Sequence, residues 1–275
     1  MRRNTLALVA SLLGGLAALA IADPPAKPAD AAPTTAPNAQ AEAAAEAPAN
    51  PASVLKRMRK RYDSARTYRD TGTSVSRFSG GSNQTTSLSF STAFDRQAGF
   101  RWRFHDGKRD EGTAYEVWSP DRVKWSSWWG LTRKLGSFGD FQAAIAGPTG
   151  ISSGTVQVVP VMLVEGSSRC NLLNGLRTRP GLDRATVDGV ACDVVEGTLR
   201  GGRTLRLFVD ADGTLRRYTE SYDLDPAKLA DSMPDADAER IRNEPKFHID
   251  QQVDFKPVFD EPVKAEETRF TPPDI

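Results

Sequence analysis

Phe100-Arg101-Trp102-Arg103-Phe104-His105 alternates three aromatic rings with two arginines and a histidine. Successive side chains of a β-strand point to opposite faces, so this stretch predicts one strand with an aromatic side and a cationic side. Burying two arginines and a histidine without partners is costly. Their side is therefore expected to face solvent, and the rings are expected to face a core. A strand of this kind needs a sheet around it and a layer to cover the apolar side of that sheet.

The flanking sequence supplies more strands. Tyr68 to Phe78 and Thr85 to Phe94 alternate on either side of Gly80-Gly81-Ser82-Asn83, which reads as a hairpin turn. Tyr115-Glu116-Val117-Trp118 and Val123 to Trp128 follow, separated by Ser119-Pro120-Asp121. Further on, Arg184 to Val187, Ala191 to Leu199, Leu205 to Val209, Leu215 to Tyr222 and Phe247 to Phe255 alternate between turn signals such as Asp188-Gly189 and Asp212-Gly213. The expectation is nine to eleven antiparallel strands. Helices are expected at Ser53 to Ser64, where Val54, Leu55, Met58 and Tyr62 share a face, and from Phe138 to a stop at Gly147-Pro148. Two shorter helices are expected, within Val156 to Val164 and after Asp225-Pro226. This is a mainly β (α+β) pattern with helices covering one face. The basic side chains of the first helix, Lys56 to Arg61, read as its wet face.

The folded part does not use the whole chain of 275 residues. Arg2 and Arg3 precede an uncharged apolar run from Leu6 to Ile21, and Ala20-Ile21-Ala22 offers small residues to a signal peptidase. Residues 1–22 thus read as a signal peptide cleaved after Ala22. The run is shorter than the ~20 residues that span a bilayer, so the mature chain is expected to carry no transmembrane span and to reside in the periplasm. Residues 23–52 hold seven prolines and thirteen alanines. They read as a Pro/Ala-rich disordered linker, with residues 53–275 as the domain.

Composition excludes several functions. Charged residues make up 26% and apolar residues 39%, which fits neither a multi-span membrane protein nor a wholly disordered chain. Residues 1–52 contain three basic and four acidic residues, so removing them moves the net charge from +1 to +2. Nucleic-acid binders carry a much stronger basic excess, and no nucleic-acid partner is expected. Cys170 and Cys192 are the only cysteines. In an oxidising compartment they could form a disulfide or remain two buried thiols. Neither belongs to a C-x-x-C pair.

The chemistry-bearing motifs are few. Gly150-Ile151-Ser152-Ser153-Gly154 matches G-x-S-x-G, and Asp210 and His248 follow in the order of some hydrolases. That motif needs a strand before the serine, whereas a helix and a Gly/Ser loop are expected there. His105 and His248 are the only histidines, and no ligands stand at metal spacing around them. No enzyme activity, cofactor or metal is expected. The unusual feature is aromatic density: all five tryptophans lie between Trp102 and Trp129.

The opening amphipathic helix with Tyr62, the strand Thr67-Tyr68-Arg69-Asp70-Thr71-Gly72, Phe94 through Phe104, the Leu205 to Arg217 hairpin with Phe208-Val209-Asp210, and Phe270-Thr271-Pro272-Pro273 together resemble the periplasmic lipoprotein carriers and receptors of the LolA/LolB type. The resemblance spans most of residues 53–275. It implies a curved, unclosed antiparallel half-barrel whose concave face is covered by helices and holds acyl chains or another hydrophobic ligand. The family's functional arginine has three candidate counterparts here, Arg69, Arg101 and Arg103, and none is assigned. On this reading the protein is a non-enzymatic carrier for a lipid or a lipoprotein acyl chain, active in outer membrane lipoprotein sorting. Phe100, Trp102, Phe104, Trp118 and Trp125 are the expected ligand-binding residues. The alternative is a sensor or interaction domain that uses the same scaffold to bind an envelope protein. The two readings separate on whether the space between sheet and helices is open or filled.

Overall fold

The computed structural model describes residues 50–80, 83–106, 114–152, 154–230, 238, 242 and 245–273. The expected signal peptide, nearly all of the expected linker, the tip of the first hairpin and most of the acidic stretch before Pro245 lie outside the described residues.

Helix α1 (Pro51–Ser64) opens the fold. Its N-cap is Asn50, not Ser53: the Asn50 side chain accepts from the Ser53 amide at 2.9 Å, and the Ser53 hydroxyl accepts from the Asn50 amide at 3.1 Å. This reciprocal cap, with proline at the first helical position, starts the helix two residues before the expected boundary. Strands β1 (Thr67–Ser79), β2 (Gln84–Asp95), β3 (Gly99–Asp106), β4 (Tyr115–Ser119), β5 (Trp125–Trp129) and β6 (Lys134–Phe138) follow as a meander. Helices α2 (Phe141–Ile151), α3 (Val159–Val164) and α4 (Asn171–Asn174) come next. Then come β7 (Arg177–Thr178), β8 (Asp183–Val187), β9 (Val190–Thr198), β10 (Thr204–Asp210), β11 (Leu215–Leu224), helix α5 (Pro226–Ala230), β12 (Phe247–Phe255) and β13 (Val258–Phe259).

All strands among the described residues belong to one antiparallel sheet of 13 strands in the order β6-β5-β4-β3-β2-β1-β12-β11-β10-β9-β7, with β13 on β1 and β8 on β9. Its two ends do not meet, as expected of an unclosed half-barrel. The strand number exceeds the expected nine to eleven because β7 and β13 are two residues long and β6 is polar and exposed at the sheet edge. The second helix also departs from expectation. It starts after Asp140, whose carboxylate accepts from the Ala143 amide at 2.8 Å, and it runs through Gly147 and Pro148. No helix among the described residues is long and apolar enough to cross a membrane.

The register fixes two faces. Tyr68, Phe90, Phe94, Phe100, Trp102, Phe104, Tyr115, Val117, Trp125, Val195, Leu207, Tyr218, Val253 and Phe255 share the inner face with α1, α2 and α3 in one apolar core. α3 is buried from Val159 through Leu163. Tyr62 of α1 joins the layers: its ring packs against Tyr68 and edge-on against Phe259, and its hydroxyl accepts from the Leu215 amide at 3.3 Å. On the flank of α1, Arg57 pairs with Asp193 at 2.9 Å and Arg61 with Asp260 at 3.0 Å, so part of the expected wet face clamps the helix to the sheet. Gly213 has φ +84 and lies against the α1 backbone at Arg57. A side chain there would be strained and would also push the helix away.

The inner face is filled. Phe100 packs edge-on against Phe141 at 5.4 Å between ring centroids, Trp125 lies 4.7 Å from Phe141, and Trp102 lies 5.2 Å from Phe104. Phe100 and Trp102 are fully buried. Cys170 belongs to this core, and Cys192 to a small outer cluster with Val187, Val194 and Phe208. Both thiols are free, so the possible Cys170–Cys192 disulfide is not formed.

Two predictions follow from this packing. Trp102→Ala should cost about 3–5 kcal/mol in urea unfolding, since a buried ring leaves a cavity; a loss under 1 kcal/mol would place the ring in open space. Asp70 offers a pH test. It sits buried on the inner face, accepts from the Tyr68 hydroxyl at 2.8 Å, and is pushed up by burial to about 6. A raised folded-state value means its contribution is fully present below the ordinary value of 3.8 and is lost as pH rises through about 6. Relative to wild type, Asp70→Asn should therefore gain about 3 kcal/mol between pH 4 and pH 7. Parallel stability curves for the two proteins would contradict this.

Candidate functional site

Two concavities lie on the outer face of the sheet, away from the helices. Two adjoining grooves of about 500 and 510 Å³ share Thr71, Ser91, Arg103 and Lys256. These four form a single lateral row of the sheet. Ser91 is opposite Arg103 and Thr71 is opposite Ser91, and the Lys256 amide donates to the Thr71 carbonyl at 2.9 Å. One row away lie His105, Ser89, Thr73, Asp254 and Arg217, and on the other side Arg101, Ala93, Arg69 and Val258. The floor is thus hydroxyl-bearing and small, and cations stand along both sides.

Most of these cations are anchored. Arg101 donates to both oxygens of Glu116 at 2.8 and 3.0 Å, and Arg103 stands 3.3 Å from the same carboxylate. Glu116 is only 2% exposed. Burial pushes its carboxyl up, while the hydrogen bonds and charge of Arg101 and then the charge of Arg103 oppose that rise. Arg217 pairs with Asp254. Arg69 pairs with Glu261 at 2.8 Å and Glu267 at 3.3 Å, both from the segment that follows β13. Among the described residues Lys256 makes no ion pair. The expectation of a solvated cationic face is therefore met only in part. Arg101 and Arg103 are half-buried because their strand neighbour is a carboxylate that needs them.

The expected ligand-binding residues divide. Phe100, Trp102, Phe104 and Trp125 gather on the inner face within the core. Trp118 lies on the opposite face, where it packs edge-on against Phe270 at 5.1 Å. Strand pairing explains this: Trp118 is opposite Arg101, not opposite an aromatic residue. Period-two alternation within each strand was readable, but the register between strands was not. The same gap hid Thr71, Ser91, Arg217 and Lys256, which become neighbours only through pairing.

Among the described residues, Ser152 is not brought together with Asp210 and His248. Its hydroxyl is buried, and Asp210 instead binds the amides of Asp212 and Thr214 and pairs with Arg216 at 2.8 Å. His248 contacts Asp223 through Nδ1 at 2.7 Å, and both Ser221 Oγ (3.0 Å) and Asp250 (3.2 Å) through Nε2. A hydrogen bond to Asp223, with Asp250 adding to it, holds this imidazole above its usual range. No group of residues suited to hold a metal ion occurs among the described residues.

No family model and no curated protein matches the sequence. Similarity appears in three dimensions. The chain is similar to solved structures of the LolA superfamily and its neighbours. A DUF1329 family protein from Desulfovibrio piger is 10% identical with a TM-score of 0.34, covering 80% of this chain and 95% of that one. A LolA superfamily protein from Nitrosomonas europaea is 8% identical with a TM-score of 0.33, covering 81% and 98%. A putative outer membrane lipoprotein-sorting domain from Vibrio parahaemolyticus is 9% identical with a TM-score of 0.29, covering 78% and 94%.

Glu116 supplies the test of this site. Glu116→Gln removes the carboxylate that the two half-buried guanidinium groups share. It should destabilise the protein by about 2 kcal/mol, less than a fully buried pair because both arginines are partly solvated. That corresponds to a fall in Tm of about 4–8 °C. An unchanged Tm would show that the arginines need no carboxylate.

Proposed function

We propose that this chain is an exported, non-enzymatic binding protein that engages a protein partner through the groove on the outer face of its sheet. One observation carries the reading: the inner face, where a carrier would hold an acyl chain, is occupied by close-packed rings and α3, whereas the outer face has open grooves lined by hydroxyls and charges. An acyl chain gains about 0.8 kcal/mol per buried methylene, and a groove open to solvent, edged by arginines and floored by serine and threonine, buries little of it. Carriage of a lipid would require α1 and α3 to lift from the sheet. In this proposal residues 1–22 direct export to the periplasm and are removed after Ala22, and residues 23–52 tether the domain.

Native mass spectrometry of protein recovered from the periplasm tests this directly. The expected species is a bare polypeptide starting at Asp23, with no bound lipid and no uptake of fluorescent fatty acids. A photo-crosslinker at Thr73 should capture a stoichiometric protein that one at Lys60, on the exposed side of α1, does not. A lipid that co-purifies reproducibly and is lost on Trp102→Leu would overturn the reading in favour of acyl-chain carriage.

A further inference from the structure

Resting on the outer-face reading, we infer that the segment held in the groove is an extended acidic stretch of the partner, with carboxylates at every second residue, one of which docks on the Arg103–Ser91–Thr71–Lys256 row. The register supports this. Neighbouring strands lie about 4.8 Å apart, so the backbones at Arg103 and Lys256 stand about 14 Å apart across the row. The two residues between them are a serine and a threonine. Lys256 can therefore lean over a floor of hydroxyl donors toward Arg103, which stands beside Glu116 on the opposite wall, and the row makes a suitable cradle for a carboxylate.

The pattern repeats along the strands. Arg101, Arg103 and His105 are two residues apart on β3, and Arg69 lies in the row of Arg101 as Lys256 lies in that of Arg103. Successive rows are about 7 Å apart. Alternate side chains of an extended peptide have the same spacing and lie on one side, so each second residue meets the next row. The chain already brings carboxylates of its own to this face: Glu261 and Glu267, from the segment after β13, both pair with Arg69 at the end of the groove. At the middle row, by contrast, the exposed Lys256 has no ion pair among the described residues.

The probe is a fluorescein-labelled peptide of five Glu-Ser repeats, followed by anisotropy on the full domain. It should bind, weaken as salt rises, and bind at least about fivefold more weakly to Lys256→Glu, whose exposed side chain makes no ion pair among the described residues that the change would break. A Gln-Ser peptide should bind no better than background. Equal binding of the Gln-Ser peptide, or an unchanged affinity in Lys256→Glu, would overturn the inference. So would phosphatidylglycerol vesicles capturing the protein in a Lys256-dependent way while the Glu-Ser peptide does not, since the anion would then be a lipid headgroup. The two failures are distinguishable. If Thr73 still crosslinks a partner whose contacting segment is neutral or basic, the groove reading stands and the acidic assignment falls. If Thr73 captures nothing, the groove reading falls.

Discussion

The fold rests on the contact of Tyr62 with the two ends of the domain. A sheet with one continuous apolar face must be covered, and the described helices are short. Tyr62 brings α1 onto β1 through Tyr68, onto β13 through Phe259, and onto the start of β11 through the Leu215 amide. Residues separated by about two hundred positions thus share one buried ring. Arg57 and Asp193 fix the same helix at its middle, against β9. With α1 held at two points, α3 can fill the remaining space, and apolar burial there outweighs the entropy of ordering the long crossover from β6 to β7.

That crossover explains why the interior is closed. Nearly every residue of α3 is apolar, so it is buried all round and cannot lie on the surface. Phe141 of α2 reaches between Phe100 and Trp125. The aromatic cluster that suggested a ligand cavity is therefore matched by an apolar segment elsewhere in the same chain. Val156 to Val164 was visible as a short apolar helix, but the sequence does not say which surface an apolar helix covers. An aromatic wall and an apolar plug look alike in sequence whether a ligand or the chain itself lies between them.

What was legible followed from periodicity within single strands. Phe100 to His105 placed its rings inward and its cations outward, and Trp128 and Trp129 fall on opposite faces as alternation requires. What was not legible depended on pairing. Trp118 faces away from the core because it is paired with Arg101, and Glu116 is buried between two arginines for the same reason. β6 escaped notice because Lys134, Gly136 and Ser137 give it no apolar face, as suits a strand at an open edge. The grooves belong to this second class, since Thr71, Ser91, Arg103 and Lys256 come from four segments that only the ladder aligns.

The outer face carries more charge than stability alone explains. A carboxylate buried between two arginines gives little net stabilisation over apolar residues of the same volume, because desolvation offsets the attraction. Its definite effect is geometric. Glu116 holds the Arg101 guanidinium in a two-point grip and keeps Arg103 beside it, and both then stand on one wall of the groove. Free arginine side chains lose rotamer entropy when they bind; side chains already fixed lose less. On the outer face the arginines are fixed in advance while the lysine opposite them stays exposed.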